Sequence, residues 1–198
     1  MNVLLHTCCA SCLIIPCRRL REEDFQVSAF FYNPNIMPYR EFRHRLTSFR
    51  DYASENDIPY YINEDYQLRF MLEKLLHPGD KSRCRACYDL RLFQTARFAA
   101  EKGFEAFSTT LSVSPYQDHE AIRKSGREAA EKWNVEFLYR DWRPEFRKGI
   151  KEAKQDGDIY LQGYCGCIFS EEERYRPSVR KKIARKMKAA REKSVENN

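Results

Sequence analysis

The sequence predicts an α/β fold with a mostly parallel sheet and helices on both faces. Two observations lead there. Short apolar runs without polar alternation recur along the chain, and strands buried on both faces read this way. Between them lie stretches whose apolar residues recur every three or four positions, the period of a helix with one buried face. Strand and helix in alternation build βαβ units, and hence a parallel sheet. Seven glycines among 198 residues, with 32% charged residues, also favour a helix-rich chain over an all-β one.

The elements follow in order. Residues 2–7 begin with Val3-Leu4-Leu5, a short buried strand. His6-Thr7-Cys8-Cys9-Ala10-Ser11-Cys12 then marks the turn from strand into helix. Residues 26–32 carry Val27, Ala29, Phe30 and Phe31, a second strand that Asn33-Pro34-Asn35 ends. Phe42, Leu46, Phe49 and Ala53 predict an amphipathic helix over 39–55. Residues 58–62 read as a third strand, and 67–76 as a helix stopped by His77-Pro78-Gly79. Residues 87–100 are helical, with Leu92, Ala96 and Ala99 on one face. Residues 106–111 form a fourth strand. Ile122, Gly126, Ala129 and Trp133 mark a further helix, and 135–139 a fifth strand. Parallel sheets bind ligands outside the carboxyl ends of their strands. Cys8-Cys9 lies at one such end and Ser108-Thr109-Thr110 at another.

Composition narrows the class. Hydrophobic residues make up 42% and aromatic residues 14%, enough for a ring-rich core. No run of about 18 apolar residues is present, so no membrane span is expected. Val3-Leu4-Leu5 is short, lacks a basic flank and leads into cysteines, unlike a signal peptide. The expected compartment is the cytoplasm. There, stable disulfides are disfavoured, and grouped cysteines point to metal binding or redox chemistry.

Seven of the eight cysteines fall into three groups. Cys8 and Cys9 sit where a helix begins, and its free N–H groups and dipole favour thiolates. Cys12 is four residues from Cys8 and three from Cys9, so it can share their face. Cys84-Arg85-Ala86-Cys87 is a C-x-x-C pair at a loop-to-helix junction, a spacing that directs two sulfurs at one centre. In Cys165-Gly166-Cys167 the glycine permits a tight backbone. Each group alone has an ordinary explanation: half a zinc site, buried small apolar residues, or chance. Three groups together point to a shared metal or redox site. Cys17 stands apart and reads as core. A structural zinc takes four ligands in a closed tetrahedron, and seven grouped cysteines exceed that. Four thiolates suit a four-iron cluster, which leaves two or three for redox or a second metal.

Four segments carry a resemblance: 6–12, 84–92 (Cys84-Arg85-Ala86-Cys87-Tyr88-Asp89-Leu90-Arg91-Leu92), 108–116 (Ser108 to Tyr116) and 164–170 (Tyr164-Cys165-Gly166-Cys167-Ile168-Phe169-Ser170). Together they resemble the cobalamin-independent epoxyqueuosine reductases, the QueH family, from residue 2 to about 170. The resemblance implies a Rossmann-like three-layer sandwich of the adenine-nucleotide hydrolase type. It implies that the epoxide of epoxyqueuosine, at the wobble position of tRNA, is reduced to give queuosine. It also implies a 4Fe-4S cluster on Cys8, Cys9, Cys84 and Cys87, without cobalamin. Cys165 and Cys167 would then be a redox-active dithiol or hold an additional iron. The role of Cys12 stays open. The family usually has proline at the position of Ser11; serine caps helices well, so the change is expected to alter rigidity and not ligation.

Reduction of an epoxide to an alkene needs a proton donor for the oxygen. The candidates are Asp118, Tyr116, His119 and His6. Asp118 is equally suited to cap the helix that follows. Tyr32 and Tyr88 could stack on a base or simply pack in the core. Arg91 could meet a phosphate or pair with Asp89 or Glu101. Residues 1–170 are expected to form the catalytic domain and 171–198 a basic helical tail. Residues 174–193 hold ten Lys or Arg and one acid, with Val179, Ile183 and Met187 four apart. Such a helix suits phosphate contact with tRNA better than a membrane surface, its apolar face being thin. The electron donor is unspecified. Two other classes compete. An iron–sulfur tRNA thiolase needs a Ser-Gly-Gly-x-Asp-Ser loop where this chain has Cys8 to Cys12. A zinc-stapled RNA-binding module would carry one zinc and no colour.

Overall fold

A computed structural model of the chain describes residues 1–176. The elements run β1 (Asn2–His6), α1 (Ala10–Glu22), β2 (Gln26–Phe31), α2 (Tyr39–Glu55), β3 (Tyr60–Ile62), α3 (Leu68–Leu76) and α4 (Arg83–Lys102). They continue with β4 (Ala106–Thr109), α5 (His119–Trp133), β5 (Glu136–Phe137), α6 (Phe146–Asp156) and α7 (Ile168–Tyr175). The five strands form one parallel sheet in the order β3-β2-β1-β4-β5.

Side-chain alternation along the strands divides the core into two layers. Val3, Leu5, Val27, Ala29 and Phe31 face α1, α2 and α6. Leu4, Phe30 and Phe107 face α4 and α5, where they meet Leu92, Ala96, Ala99, Ile122 and Ala129. Both faces of the sheet are therefore covered, as the unbroken apolar runs required. The result is the expected three-layer sandwich.

The strand order places the site. From β1 the chain runs outward through β2 to β3, then returns to β4 on the other side of β1. The carboxyl ends of β1 and β4 flank the point where the order reverses, and open α/β sheets bind their ligands there.

Several boundaries shift for identifiable reasons. The third strand begins at Tyr60, because Pro59 has no N–H to pair. The fourth ends at Thr109, whose hydroxyl accepts the Leu111 N–H (3.1 Å) and starts a 3-10 turn over Thr110–Val113. The fifth is only two residues long. The helix expected from residue 87 begins at Arg83, because Ser82 caps it by accepting the Arg85 N–H at 3.1 Å. Helix α6 had no sequence expectation, and α7 begins three residues before the helical tail expected from residue 171. The rest of the basic helical tail expected over 171–198, from residue 177 on, lies outside the described residues. Among those described, no helix is long and apolar enough to cross a membrane.

Gly126 lets α5 lie close on the sheet. A Cβ there would overlap the Phe137 ring on β5. Gly126→Ala should therefore destabilise the protein by about 1–3 kcal/mol, although alanine is the better helix former. Urea unfolding measures this, and an unchanged or raised midpoint would contradict the packing described.

Candidate metal and redox centre

The first cysteine group occupies the switch point. Beyond His6 at the end of β1, the Cys8 N–H donates to Thr110 Oγ1 (3.1 Å), past the end of β4. Thr110 Oγ1 also donates to Cys8 Sγ at 3.5 Å. Cys9 is the N-cap of α1, with no side-chain cap bond, and Cys12 lies on the first turn. The Sγ atoms of Cys8, Cys9 and Cys12 all lie within 4.8 Å of one another, and all three residues are buried. Among the described residues this is the one set of three or more Cys, His or acidic ligand atoms so closely placed. Pro16, inside α1, has no N–H to offer the Cys12 carbonyl.

Three thiols at this separation cannot all ionise. Burial opposes the charge on Cys9. The contacts from Cys12 and Cys8, the Arg45 charge and the Ser11 hydroxyl outweigh burial and hold its thiol well below the ordinary value. At Cys8 the Cys12 contact works downward, but the bond with Cys9, burial and the Cys9 charge push the thiol up to about 12. Soft, buried thiolate donors at one point suit a thiophilic metal or cluster, and the triad can hold one.

Gln162 was not anticipated. Its Nε2 donates to Cys9 Sγ (2.9 Å) and lies 3.8 Å from Cys12 Sγ. Ser11 does not cap the helix. Its Oγ sits 3.4 Å from Cys9 Sγ and donates to Gln162 Oε1 at 3.4 Å, so it belongs to the thiol network.

The second and third groups meet each other. Cys84 and Cys87 stand in the opening turns of α4, and Cys167 occupies the N-cap position of α7 without a side-chain cap bond. Cys87 packs with Met37, Met71 and Leu75, and Cys167 and Phe169 lie against that cluster. Burial pushes the Cys87 thiol up to about 12; Arg91 opposes this, and Cys165, Cys167 and Cys84 add to it. Burial also raises Cys84 and Cys167, and the nearness of the Cys165 sulfur adds to both. Cys84 and Cys165 are exposed.

The loop carrying Cys165 and Cys167 is fixed by a buried pair on α2. The Arg45 side chain is 1% exposed and bonds Glu41 at 2.7 Å. Its Nη2 donates to the Tyr164 carbonyl (2.9 Å) and its Nη1 to the Cys165 carbonyl (3.2 Å). Tyr160 donates to the other Glu41 oxygen at 2.5 Å. Gly166 has φ +107°, and a Cβ there would come within 2.9 Å of Ile36 and 3.3 Å of Arg45 Nη1. Gly166→Ala should shift this loop, cost about 1–3 kcal/mol and impair turnover while the Cys8 triad survives. Unfolding together with thiol-labelling of Cys165 checks this; an unperturbed labelling rate and midpoint would count against it.

The other sequence candidates have definite places. His6 is fully buried between Thr109 Oγ1 (2.9 Å) and the Tyr32 carbonyl (3.2 Å). Burial, then the Arg91 charge, lowers its pKa to about 3, so it holds no spare proton at neutral pH. Asp118 Oδ1 accepts the Ala121 N–H (3.0 Å) and caps α5. His119 is engaged at both nitrogens, by Tyr139 Oη (2.7 Å) and the Ser114 carbonyl (3.1 Å). Tyr116 is 86% exposed. Tyr32 and Tyr88 are buried, and Tyr88 donates to Gln117 at 2.7 Å. Cys17 is a core residue, 3% exposed. Arg91 pairs with neither Asp89 nor Glu101. It is 3% exposed and donates from Nη1 to Asn33 Oδ1 at 3.4 Å.

A cysteine centre at the switch point of a parallel sheet can be compared with known proteins. Residues 3–173 match the family model described as epoxyqueuosine reductase QueH. The chain belongs to the epoxyqueuosine reductase QueH family. A family member from Dehalococcoides mccartyi is 36% identical over 174 residues, which is 88% of this chain and 94% of the relative. Another, from Thermotoga maritima, is 35% identical over 189 residues, 87% of this chain and 92% of the relative. Both are named epoxyqueuosine reductase QueH. Among solved structures, one from Methanocaldococcus jannaschii, described as a predicted subunit of tRNA methyltransferase, superposes with a TM-score of 0.52. It is 10% identical and covers 78% of this chain and 74% of its own. That likeness is one of fold, the α/β sandwich expected for the QueH family.

Proposed function

We propose that this chain reduces epoxyqueuosine in tRNA to queuosine at the switch-point cysteine centre, without cobalamin. The match over residues 3–173 carries this reading, and the buried Cys8, Cys9 and Cys12 triad, together with the proximity of Cys87 to Cys84 and to Cys165 and Cys167, supports it. The ligands we propose for a 4Fe-4S cluster are Cys8, Cys9, Cys84 and Cys87. Cys12, beside Cys8 and Cys9, is a candidate for an additional iron, as are Cys165 and Cys167.

The overall change is balanced. An epoxide takes up two electrons and two protons, the ring oxygen leaves as water, and an alkene remains. The chemistry a 4Fe-4S cluster supplies when bound is one-electron transfer. A dithiol at Cys165 and Cys167 would release two electrons and two protons on forming a disulfide, which meets the requirement. Cys165 is exposed, with Ser170 Oγ 2.9 Å from its sulfur. Tyr116 and Asp118 are the proposed donors to the leaving oxygen. Tyr116 is favoured: its hydroxyl makes no hydrogen bond among the described residues, whereas Asp118 is engaged as a cap.

The ten basic residues of 174–193 are proposed to bind tRNA phosphates, so affinity should fall steeply with salt. A reducing cytoplasm suits cysteines that are all unpaired. Complementation tests the proposal. Bacteria that lack their own epoxyqueuosine reductase accumulate the epoxide in tRNA. Expression of this chain should restore queuosine in the digested nucleosides. Persistence of the epoxide alone, with the protein present and folded, would refute it.

A further inference from the structure

Arg91 is a buried cation without an acid. It lies on α4, one turn beyond Cys87, so the two share a face. It is 3% exposed, and no ion pair among the described residues includes it. Its Nη1 contact is the amide oxygen of Asn33, at 3.4 Å, and its Nε is buried with no hydrogen-bond partner. Asn33 ties this guanidinium to the first cysteine group: Asn33 Nδ2 donates to the carbonyl of Thr7, next to Cys8, at 2.8 Å. The ionisable groups nearest in influence to Arg91 are thiols, Cys87 first, then Cys8 and Cys165, one from each cysteine segment, and no carboxylate is among them. An isolated buried charge is costly unless something of opposite sign faces it. Every other buried arginine has its acid: Arg45 has Glu41, and Arg85 has Asp89 and Glu128.

We infer that Arg91 is the counter-charge for the anionic group bound by the cysteines, and that it raises that group's reduction potential. This rests on the cluster reading above. A cluster ligated by four thiolates carries net negative charge and becomes more negative on taking up an electron. A fixed cation beside it stabilises the reduced form more than the oxidised one. Arg91 is therefore a positioning and tuning residue and touches no substrate. Its place also explains why α4 carries an arginine at a core-facing position. Without a bound anion its burial is a liability.

The test uses anaerobically reconstituted full-length protein as wild type, Arg91→Lys and Arg91→Met. Iron and acid-labile sulfide are measured first, then the potential by dye-equilibrated titration, and the unfolding midpoint of the metal-free proteins. Arg91→Lys should keep both cluster and potential close to wild type. Arg91→Met should shift the equilibrium for electron uptake at least tenfold toward the oxidised form, which is about 59 mV for one electron. If Arg91→Met loads no cluster while Arg91→Lys does, the need for charge is also upheld. Metal-free Arg91→Met should be as stable as the wild type or more so, because an unpaired buried charge has been removed. A wild-type potential in loaded Arg91→Met would overturn the inference. So would a metal-free Arg91→Met that is less stable or does not fold, since that marks a purely structural arginine. A wild-type protein that takes up no iron would instead overturn the cluster reading.

Discussion

Cys84→Ala and Cys87→Ala are expected to yield colourless protein and no detectable queuosine. The loss should exceed the roughly 10–100-fold that follows from altering an outer-shell partner of a metal. Both cysteines stand in the opening turns of α4, and Cys87 lies one turn before Arg91 and close enough to Cys165 and Cys167 to be influenced by them. Cys84 is the cleaner probe. It is exposed, so its replacement should change stability by no more than about 0.5 kcal/mol. Cys87 is buried in the Met37, Met71 and Leu75 cluster, and its replacement adds a small cavity. Iron analysis after anaerobic purification checks both. Full iron content in Cys84→Ala would remove that residue from the ligand set. Cys165→Ala and Cys167→Ala separate the two roles of the third segment. Iron kept with turnover lost marks a dithiol, and iron lost in part marks an additional iron.

The largest effect on stability should come from Arg45→Met. The Arg45–Glu41 pair is almost wholly buried, and removing one member leaves a carboxylate with Tyr160 as its remaining partner. Breaking a buried pair in this way costs about 3–5 kcal/mol. The same change removes the donors to the Tyr164 and Cys165 carbonyls, so the loop carrying Cys165 and Cys167 should loosen. Glu41→Leu combined with Arg45→Met should recover much of the stability, since an apolar pair of similar volume is often neutral. It should not recover turnover. Urea unfolding of the single and double variants measures both terms. A single-variant loss below about 1 kcal/mol would contradict the role given to this pair.

The fold was legible where strands are buried on both faces. Val3-Leu4-Leu5 and Val27 to Phe31 have no polar face to mask them, and the helices between them bury large residues at regular spacing. The first two helices after β2 fell within a residue of their expected bounds. Helix α6 was invisible, and the start of α7 was missed, for a physical reason. The fully buried positions of α6 are Gly149 and Ala153, small residues that sit against α1 and leave no apolar stripe to read. α7 buries no residue at all, so its pattern is that of a surface segment.

The site was legible as chemistry but not as wiring. Grouped cysteines at a strand end and on a helix's first turn announce themselves by type and spacing. Cys12 joining Cys8 and Cys9 followed from helical geometry, and the structure places the three together. Gln162 could not be found, because one glutamine in a loop carries no periodicity and its partner lies 153 residues away. Arg91 had competing local acids in the sequence, Asp89 and Glu101. Asp89 is instead taken by Arg85, Lys81 and Ser125. Only the third dimension shows that Arg91 is buried without an acid among the described residues, one helical turn from Cys87. His6 looked like an acid by residue type, and its burial and hydrogen bonds assign it to structure, whereas Asp118 spends one oxygen on capping α5.

The most direct measurement incubates the anaerobically reconstituted protein with a strong low-potential reductant and tRNA carrying epoxyqueuosine, with no cobalamin. Nucleosides are then digested and separated by mass. The account predicts that the epoxide is lost, that queuosine appears in equal amount, and that the product mass is lower by one oxygen. Unchanged epoxyqueuosine after prolonged incubation with iron-loaded protein would contradict it.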